Sequence, residues 1–409
     1  MESQVTGGGP AARRLRVLVS AAACGPSEEP EASAGWAFAV AAARHHDVWV
    51  VTRPRFRAQM EAALAADPEL AGHLHVEYLD LPSWVIALRR RSWDLYWYYA
   101  LWQAALARLA RRLHRDVHFD VAHHVTFAND WLPCGVARLT EVPLVWGPVG
   151  GASRFDFVRM RRWLGRRGFV DEVMRSLSTG LARRRWGDPA ARRARVVVAQ
   201  NDDVAARFAS SRRVVVEPNA ALDPPAPRPP GRADGPPVAL FVGRLIGWKG
   251  ARLAVATLAH PLAAAWRLHV YGDGYDRELL VRLAADLGVA DRVTFLGHRP
   301  RAEVLEAYEH ADALLFPSMH DQAGWVVAEA SQAGCPVVCL PLGGPPVLAG
   351  PNAYVASDEG DVVRNLAEQL HLAGEHGGRT HERWSRDRLG DLVDDWYADA
   401  VDGSAHPHQ

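Results

Sequence analysis

Two cations five positions apart, Arg244 and Lys249, carry the clearest chemistry in this sequence. They sit in Phe241-Val242-Gly243-Arg244-Leu245-Ile246-Gly247-Trp248-Lys249-Gly250. The stretch reads as the end of a buried strand, a glycine-bearing loop and the start of a helix over 251–258. Lys249 is the only lysine; the other 46 of the 47 basic residues are arginine. A compact, flexible ammonium at this one point contrasts with the planar guanidinium fork used everywhere else. Backbone N–H groups and the dipole at a helix N-terminus favour a phosphate. The stretch therefore suits a diphosphate clamp, against the plainer reading of a solvated strand-to-helix loop.

A second constellation lies at Pro317-Ser318-Met319-His320-Asp321-Gln322-Ala323-Gly324-Trp325. Asp321 opens a loop at a strand end, and Gly324 precedes a helix over 325–332 whose first-turn N–H groups can meet a hydroxyl or phosphate oxygen. Glu329, eight residues after Asp321, lies among Val326, Val327, Ala328 and Ala330. A carboxylate in such company requires a partner or a ligand, and a ribose diol would serve. Gly272-Asp273-Gly274 is a third glycine loop, but it lacks the full dinucleotide fingerprint and reads equally as a plain turn.

Elements that position these residues follow from alternation. Short apolar runs at 15–20, 47–52, 75–79, 119–124, 142–146, 195–200 and 214–217 read as strands, with helices at 35–44, 57–66 and 202–209. The pattern restarts after the proline-rich 223–237, with strands at 238–242, 267–271, 292–295, 313–316 and 336–340. Helices at 251–258, 276–287, 301–309 and 325–332 lie between them. Strands alternating with helices indicate parallel sheets in an α/β fold, whose ligands sit beyond strand ends. The expected organisation is a first Rossmann-like domain over 12–222, a linker over 223–237, a second Rossmann-like domain over 238–382, and a terminal helix over 383–401 packing back on the first. An aromatic segment at 84–115 is helical in period and suits core packing first, then an acceptor site or a membrane surface. A basic segment at 154–185 reads as a loosely helical insertion.

Composition bounds the class. At 409 residues, 49% hydrophobic and 23% charged, the chain has the make-up of an ordinary globular protein. Neither a membrane span nor a signal peptide is visible. Cys24, Cys134, Cys335 and Cys339 make no disulfide framework, so the expected compartment is the cytoplasm, with peripheral contact at the inner membrane face left open. The zero net charge hides an asymmetry: residues 1–222 hold 31 Arg and 22 acidic residues, leaving 16 basic and 25 acidic in the rest. No nucleic-acid partner is indicated.

Taken in order, FVGRLIGWKG (241–250), VYGDG (270–274), VTFLGH (293–298) and LLFPSMHDQAGWVVAEASQAGCPVVC (314–339) resemble the nucleotide-sugar-dependent glycosyltransferases of family 4. SEEPEASAGW (27–36), DVAHHVTF (120–127) and WGPVGG (146–151) are similar to one branch of that family. The resemblance implies the GT-B fold, two Rossmann-like doubly wound domains facing a cleft and closing over the donor. It implies a retaining, metal-independent transfer with no cofactor beyond a UDP-, GDP- or other nucleotide-sugar donor. Arg244 and Lys249 would hold the diphosphate beside Gly243 and Gly272; Asp321 and the backbone of Ala323, Gly324 and Trp325 would hold sugar and phosphate. Glu329 would take the ribose, the backbone near His298 the base, and Gly35, in a loop of the first domain, would approach the diphosphate.

Two departures stand out. The family usually opens its E-x7-E motif with glutamate, where this chain has Asp321, and many members carry a histidine where this chain reads Trp146-Gly147-Pro148. His123 or His124 would then be the histidine nearest the reacting centre, unless each is a buried core residue. The acceptor fits a small secondary metabolite, as in antibiotic biosynthesis, or a lipid-linked saccharide. Rival readings are a GT-B sugar-nucleotide epimerase and a donor-binding protein whose catalytic step has decayed.

Overall fold

A computed structural model describes residues 13–91, 93–152, 155–225 and 235–403. Residue 12 of the expected first domain, Arg154 of the basic segment and 226–234 of the expected linker lie outside the described residues. Seven strands form the first sheet: β1 Arg16–Ser20, β2 Asp47–Thr52, β3 Leu74–Tyr78, β4 Val121–His124, β5 Leu144–Val149, β6 Val196–Ala199 and β7 Val214–Val216. Their order is β3-β2-β1-β4-β5-β6-β7. Six form the second: β8 Val238–Val242, β9 Arg267–Tyr271, β10 Val293–Gly297, β11 Ala313–Phe316, β12 Val337–Cys339 and β13 Ala353–Val355, ordered β10-β9-β8-β11-β12-β13. Every neighbouring pair in the second sheet is parallel.

The chain divides into two compact units. One comprises residues up to 126, 135–145 and 389 onward; the other comprises 127–134 and 146–388. This division falls within β5 rather than at the proline-rich segment. Part of the reason is the helix Arg161–Ala182, which opens beneath the second sheet: Met160 and Leu164 are buried in one core with Leu245, Leu253 and Leu258. Leu314, Phe316, Val327, Ala328 and Trp384 fill a separate core cluster. Covering both faces is what a near-continuous apolar parallel strand demands.

In the first unit, the helix Leu389–Asp402 packs against the helix Pro30–His45. Phe38 stacks on Trp396 with ring centroids 6.1 Å apart, and His46 Nε2 lies 2.7 Å from Asp394 Oδ1. The terminal helix thus returns to the first fold half, as expected. Residues 30–34, read as loop, are the opening turns of the helix Pro30–His45: a proline at the first helical position needs no N–H partner. Gly35 therefore lies inside a helix, not in a loop.

The aromatic segment is two helices, Ser83–Ile86 and Asp94–Val117. The second starts afresh because the Asp94 carboxylate accepts from the backbone N–H groups of Arg90 and Arg91, both at 2.8 Å. Its aromatics divide by face: Tyr98, Tyr99 and Trp102 are buried, while Tyr96 is exposed, as is Trp93 just before the helix. The helix Val362–His376 and strand β13 have no counterpart in the sequence reading.

Close backbone contacts set glycine positions in the second sheet. At Gly272 φ is +128°, and a Cβ there would lie 2.0 Å from the Gly243 carbonyl oxygen. Gly272→Ala is expected to lower unfolding free energy by about 3 kcal/mol or more, from a strained φ plus a backbone clash. Gly72, in the helix Pro68–His73 with nothing within 4 Å of its Cβ position, should gain about 0.5–1 kcal/mol as alanine. Denaturant titration of both variants checks the contrast.

Candidate functional site

Three strand ends of the second sheet assemble one site. After β8 the loop Gly243–Gly250 runs back over the loop that follows β9: Gly243 N–H donates to Tyr271 O and Leu245 N–H to Asp273 O, both at 2.9 Å. Gly272 and Gly274 permit this, since a Cβ on Gly274 would lie 2.3 Å from Leu245 O. The loop after β11 closes the third side. Met319 N–H donates to Trp248 O at 2.8 Å, and Gly250, at φ +80°, lies so close that a Cβ would sit 2.0 Å from Pro317 O.

That packing brings Lys249 to Asp321. The ammonium donates to Asp321 Oδ2 at 2.5 Å, and Ser318 Oγ donates to the same oxygen at 3.2 Å. The Lys249 and Asp321 side chains are only 16% and 14% exposed, and the ammonium stands 5.4 Å from the Phe316 ring centroid. Arg244 is exposed, its guanidinium 6.0 Å from the Trp248 ring. Among the described residues no carboxylate pairs with it. Arg244, Lys249, Asp321, Gly243, Gly272 and the helix start at Gly324 thus stand on adjoining loops.

Gly324, at φ +85°, is the N-cap of the helix Trp325–Gln332. The contacts that anchor its loop include Gly344 N–H donating to Asp321 O at 2.9 Å, Asn201 Nδ2 to Gln322 O at 2.9 Å, and Trp325 Nε1 to Asn219 Oδ1 at 3.0 Å. These hold the Ala323 and Trp325 backbone without using their N–H groups as anchors. Glu329, one turn on, is 9% exposed. Burial pushes its carboxyl up, opposed by Arg301, whose Nε and Nη2 both donate to Oε1 at 2.9 and 2.8 Å. Nothing in the spacing of Arg301 marks it, in sequence, as the partner of a carboxylate 28 residues later. His298 is exposed just after β10.

Beside this loop lies a cavity of about 300 Å³, lined by Asp130, Phe155, Phe157, Arg175, Arg183 and Arg207, among others. Asp130 is fully buried, with Arg183 Nε at 2.7 Å and Arg207 Nε at 3.1 Å from its Oδ2. Arg175 pairs with Glu172 and reaches His320 Nδ1 at 3.2 Å. Burial first, then Arg175, Lys249 and Arg183, holds the His320 imidazole down at about 3, so the ring is neutral near pH 7. The sequence showed this region only as basic; the pairing of Asp130 with two distant arginines needed the fold.

His123 and His124 belong to the first unit's interior, at 0% and 1% exposure. His123 Nδ1 is 2.9 Å from Tyr397 Oη, and Phe38 and Trp396 flank the ring edgewise. His124 lies 2.9 Å from Ser20 Oγ and 3.3 Å from Tyr99 Oη. Each thus has the environment of a satisfied core histidine. Gly35 is buried likewise, its Cα facing Ala23 O and Thr126.

The two sheets define the GT-B fold. Sucrose-phosphate synthase from Thermosynechococcus elongatus matches with a TM-score of 0.59 at 15% identity, covering 96% of this chain and 100% of that one. An Anabaena protein, Alr3699/HepE, solved in complex with UDP-glucose, matches with a TM-score of 0.51 at 16% identity, over 94% and 100%. Residues 224–386 match the family model "Glycosyl transferases group 1". The 2-deoxystreptamine glucosyltransferase of Streptomyces kanamyceticus is 35% identical over 169 residues, 38% of this chain and 43% of that protein. The chain thus aligns with less than half the length of this curated relative. All three glycine loops and the Asp321–Glu329 segment fall within the matched 224–386.

Among the described residues no helix is long and apolar enough to cross a membrane, and no group of three or more His, Cys, Asp or Glu side chains is placed to hold a metal.

Burial, reinforced by neighbouring His123, holds the His124 imidazole down at about 3, against about 6.5 for a free ring. The unfolded chain therefore takes up this proton first on acidification. The stability contributed by the neutral ring is complete above about pH 6.5 and is lost as pH falls toward about 3. His124→Asn should remove about 1.4 kcal/mol per pH unit from the acid-side slope of unfolding free energy. Denaturant titrations at several pH values between those limits check it; an unchanged slope would mean that the folded ring already carries charge.

Proposed function

We propose that this chain is a retaining glycosyltransferase that moves a sugar from a nucleotide diphosphate sugar to an acceptor hydroxyl. The observation that carries the reading is the pair of cations, Arg244 and Lys249, held over glycine loops inside the segment that matches the group 1 glycosyltransferase model. The glucosyltransferase relative supports sugar transfer, and the UDP-glucose complex of the Anabaena protein supports a nucleotide-sugar donor.

The chemistry is mainly electrostatic. Breaking the glycosidic bond leaves a nucleoside diphosphate whose new charge must be met by positive groups already in place. Lys249 is paired with Asp321, so the two loops carry Arg244 as their cation without a carboxylate partner among the described residues. On this reading the diphosphate draws the ammonium toward itself, and the Asp321 carboxylate turns to accept from donor-sugar hydroxyls. The N–H groups at the start of the helix Trp325–Gln332 bind a phosphate oxygen. Glu329, whose carboxylate form Arg301 favours against the upward push of burial, accepts from the ribose diol. The acceptor, a secondary metabolite or a lipid-linked saccharide, enters through its hydroxyl. The cavity beside His320 offers aromatic walls in Phe155 and Phe157 and donors in Arg175 and Arg183.

The lone lysine provides the sharpest test. Lys249→Ala and Lys249→Arg should each lower kcat/KM by roughly a hundredfold, about 2.7 kcal/mol at the transition state. The guanidinium keeps the charge but is a longer, planar group in the space beside Asp321 and Phe316. Transfer at the native rate by Lys249→Arg would remove the clamp assignment. Donor incubated alone and followed by NMR separates the rivals: an epimerase converts it without acceptor, and a decayed binding protein leaves it intact even when acceptor is added. The anomeric coupling constant of the product reports retention or inversion.

A further inference from the structure

The helix Arg161–Ala182 carries a surface that the sugar chemistry does not use. Beyond its kink at Gly165 (φ 68°), Val170, Met174, Leu177 and Leu181 are 57%, 62%, 69% and 77% exposed. Their spacing of four, three and four places all four within one narrow stripe, since each residue advances about 100°. Isolated exposed apolar side chains are ordinary. Four consecutive members of one stripe, with almost nothing covering them, mark an interaction surface.

Charge brackets the stripe at both ends. Arg166 and Arg167 stand one turn before Val170, and Arg184 and Arg185 follow Leu181; all four are exposed. Arg167 lies 4.2 Å over the Tyr275 ring, and none of the four has a carboxylate partner among the described residues. Across 161–185 there are eight arginines against Asp171 and Glu172, and Glu172 is buried against Arg175. Only Asp171 opposes the field from the exposed side. A second copy of the chain would bring the same arginines face to face. An anionic surface complements them, and a bilayer accepts a long apolar stripe flanked by guanidinium groups at headgroup depth.

We infer that this helix lies in the surface of a bilayer rich in anionic lipid, with Val170, Met174, Leu177 and Leu181 in the acyl boundary and Arg166, Arg167, Arg184 and Arg185 on the headgroup phosphates. Arg175 and Ser176 on the same helix line the cavity beside His320, so docking would bring that cavity near the membrane plane. The inference goes beyond the glycosyltransferase reading and does not depend on it.

Co-sedimentation of the full chain with vesicles tests it without any donor. The protein should pellet with vesicles of mixed phosphatidylglycerol and phosphatidylcholine, remain in solution with phosphatidylcholine alone, and be released by high salt. Leu177→Asp with Leu181→Asp should lower the partition coefficient by about tenfold or more at an unchanged melting temperature. Serine at all four bracketing arginines should abolish the preference for anionic lipid, each charge contributing roughly fivefold. Three outcomes overturn the inference: no pelleting with anionic vesicles, native partition in the leucine double variant, or a solution dimer that the leucine double variant splits. The last would make a second copy the occupant.

Discussion

Close approach of peptide backbones is the constraint on which the site rests. Gly272 against the Gly243 carbonyl, Gly274 against Leu245 and Gly250 against Pro317 each leave no room for a Cβ. Three strand ends are thereby drawn together, and the side chains between those contacts are delivered to one place. Lys249 and Asp321 are 72 residues apart in sequence, yet their separation is set by loops that cannot spread. A side chain at any of the three glycines would wedge the loops apart before it disturbed the strands behind them.

Electrostatics then decides what those loops hold. Lys249 and Asp321 are both largely withdrawn from water, where an unpaired charge is expensive and a paired one is tolerated. The pair leaves neither charge without a partner there, and on the proposed reaction it offers a diphosphate an ammonium already largely withdrawn from water. Arg301 does the same for Glu329, whose carboxyl would otherwise be pushed further toward its neutral form. On the proposed reaction, the cost of gathering charge is met at folding and the transition state finds the groups in position.

Much of this was legible in the sequence because it is written in short-range signals. Strands β2, β8, β9 and β11 coincide with their apolar runs, and the glycine loops follow them directly. Helix starts were less legible: Pro30 opens a helix among residues that otherwise look like loop, and only the missing N–H of proline makes that start inexpensive. Gly35 lies in that helix for the same reason. Partners distant in sequence could not be read at all. Nothing in the local pattern links Arg301 with Glu329, or Asp130 with Arg183 and Arg207, because those pairings are made by topology. His123 and His124 show the converse: their position at a strand end suggested reactivity, while Tyr397, from the far end of the chain, completes a packed interior around them.

The solitary lysine also makes this protein unusual as a chemical object. Apart from the chain's own α-amino group, Lys249 is the sole primary amine in the sequence, so an amine-selective acylating reagent has one side-chain target. That target is held between a carboxylate and an aromatic ring at the base of the glycine loops. The extent of its modification would read the state of a single ammonium, and so record whether that ammonium is paired, free or covered by a bound anion.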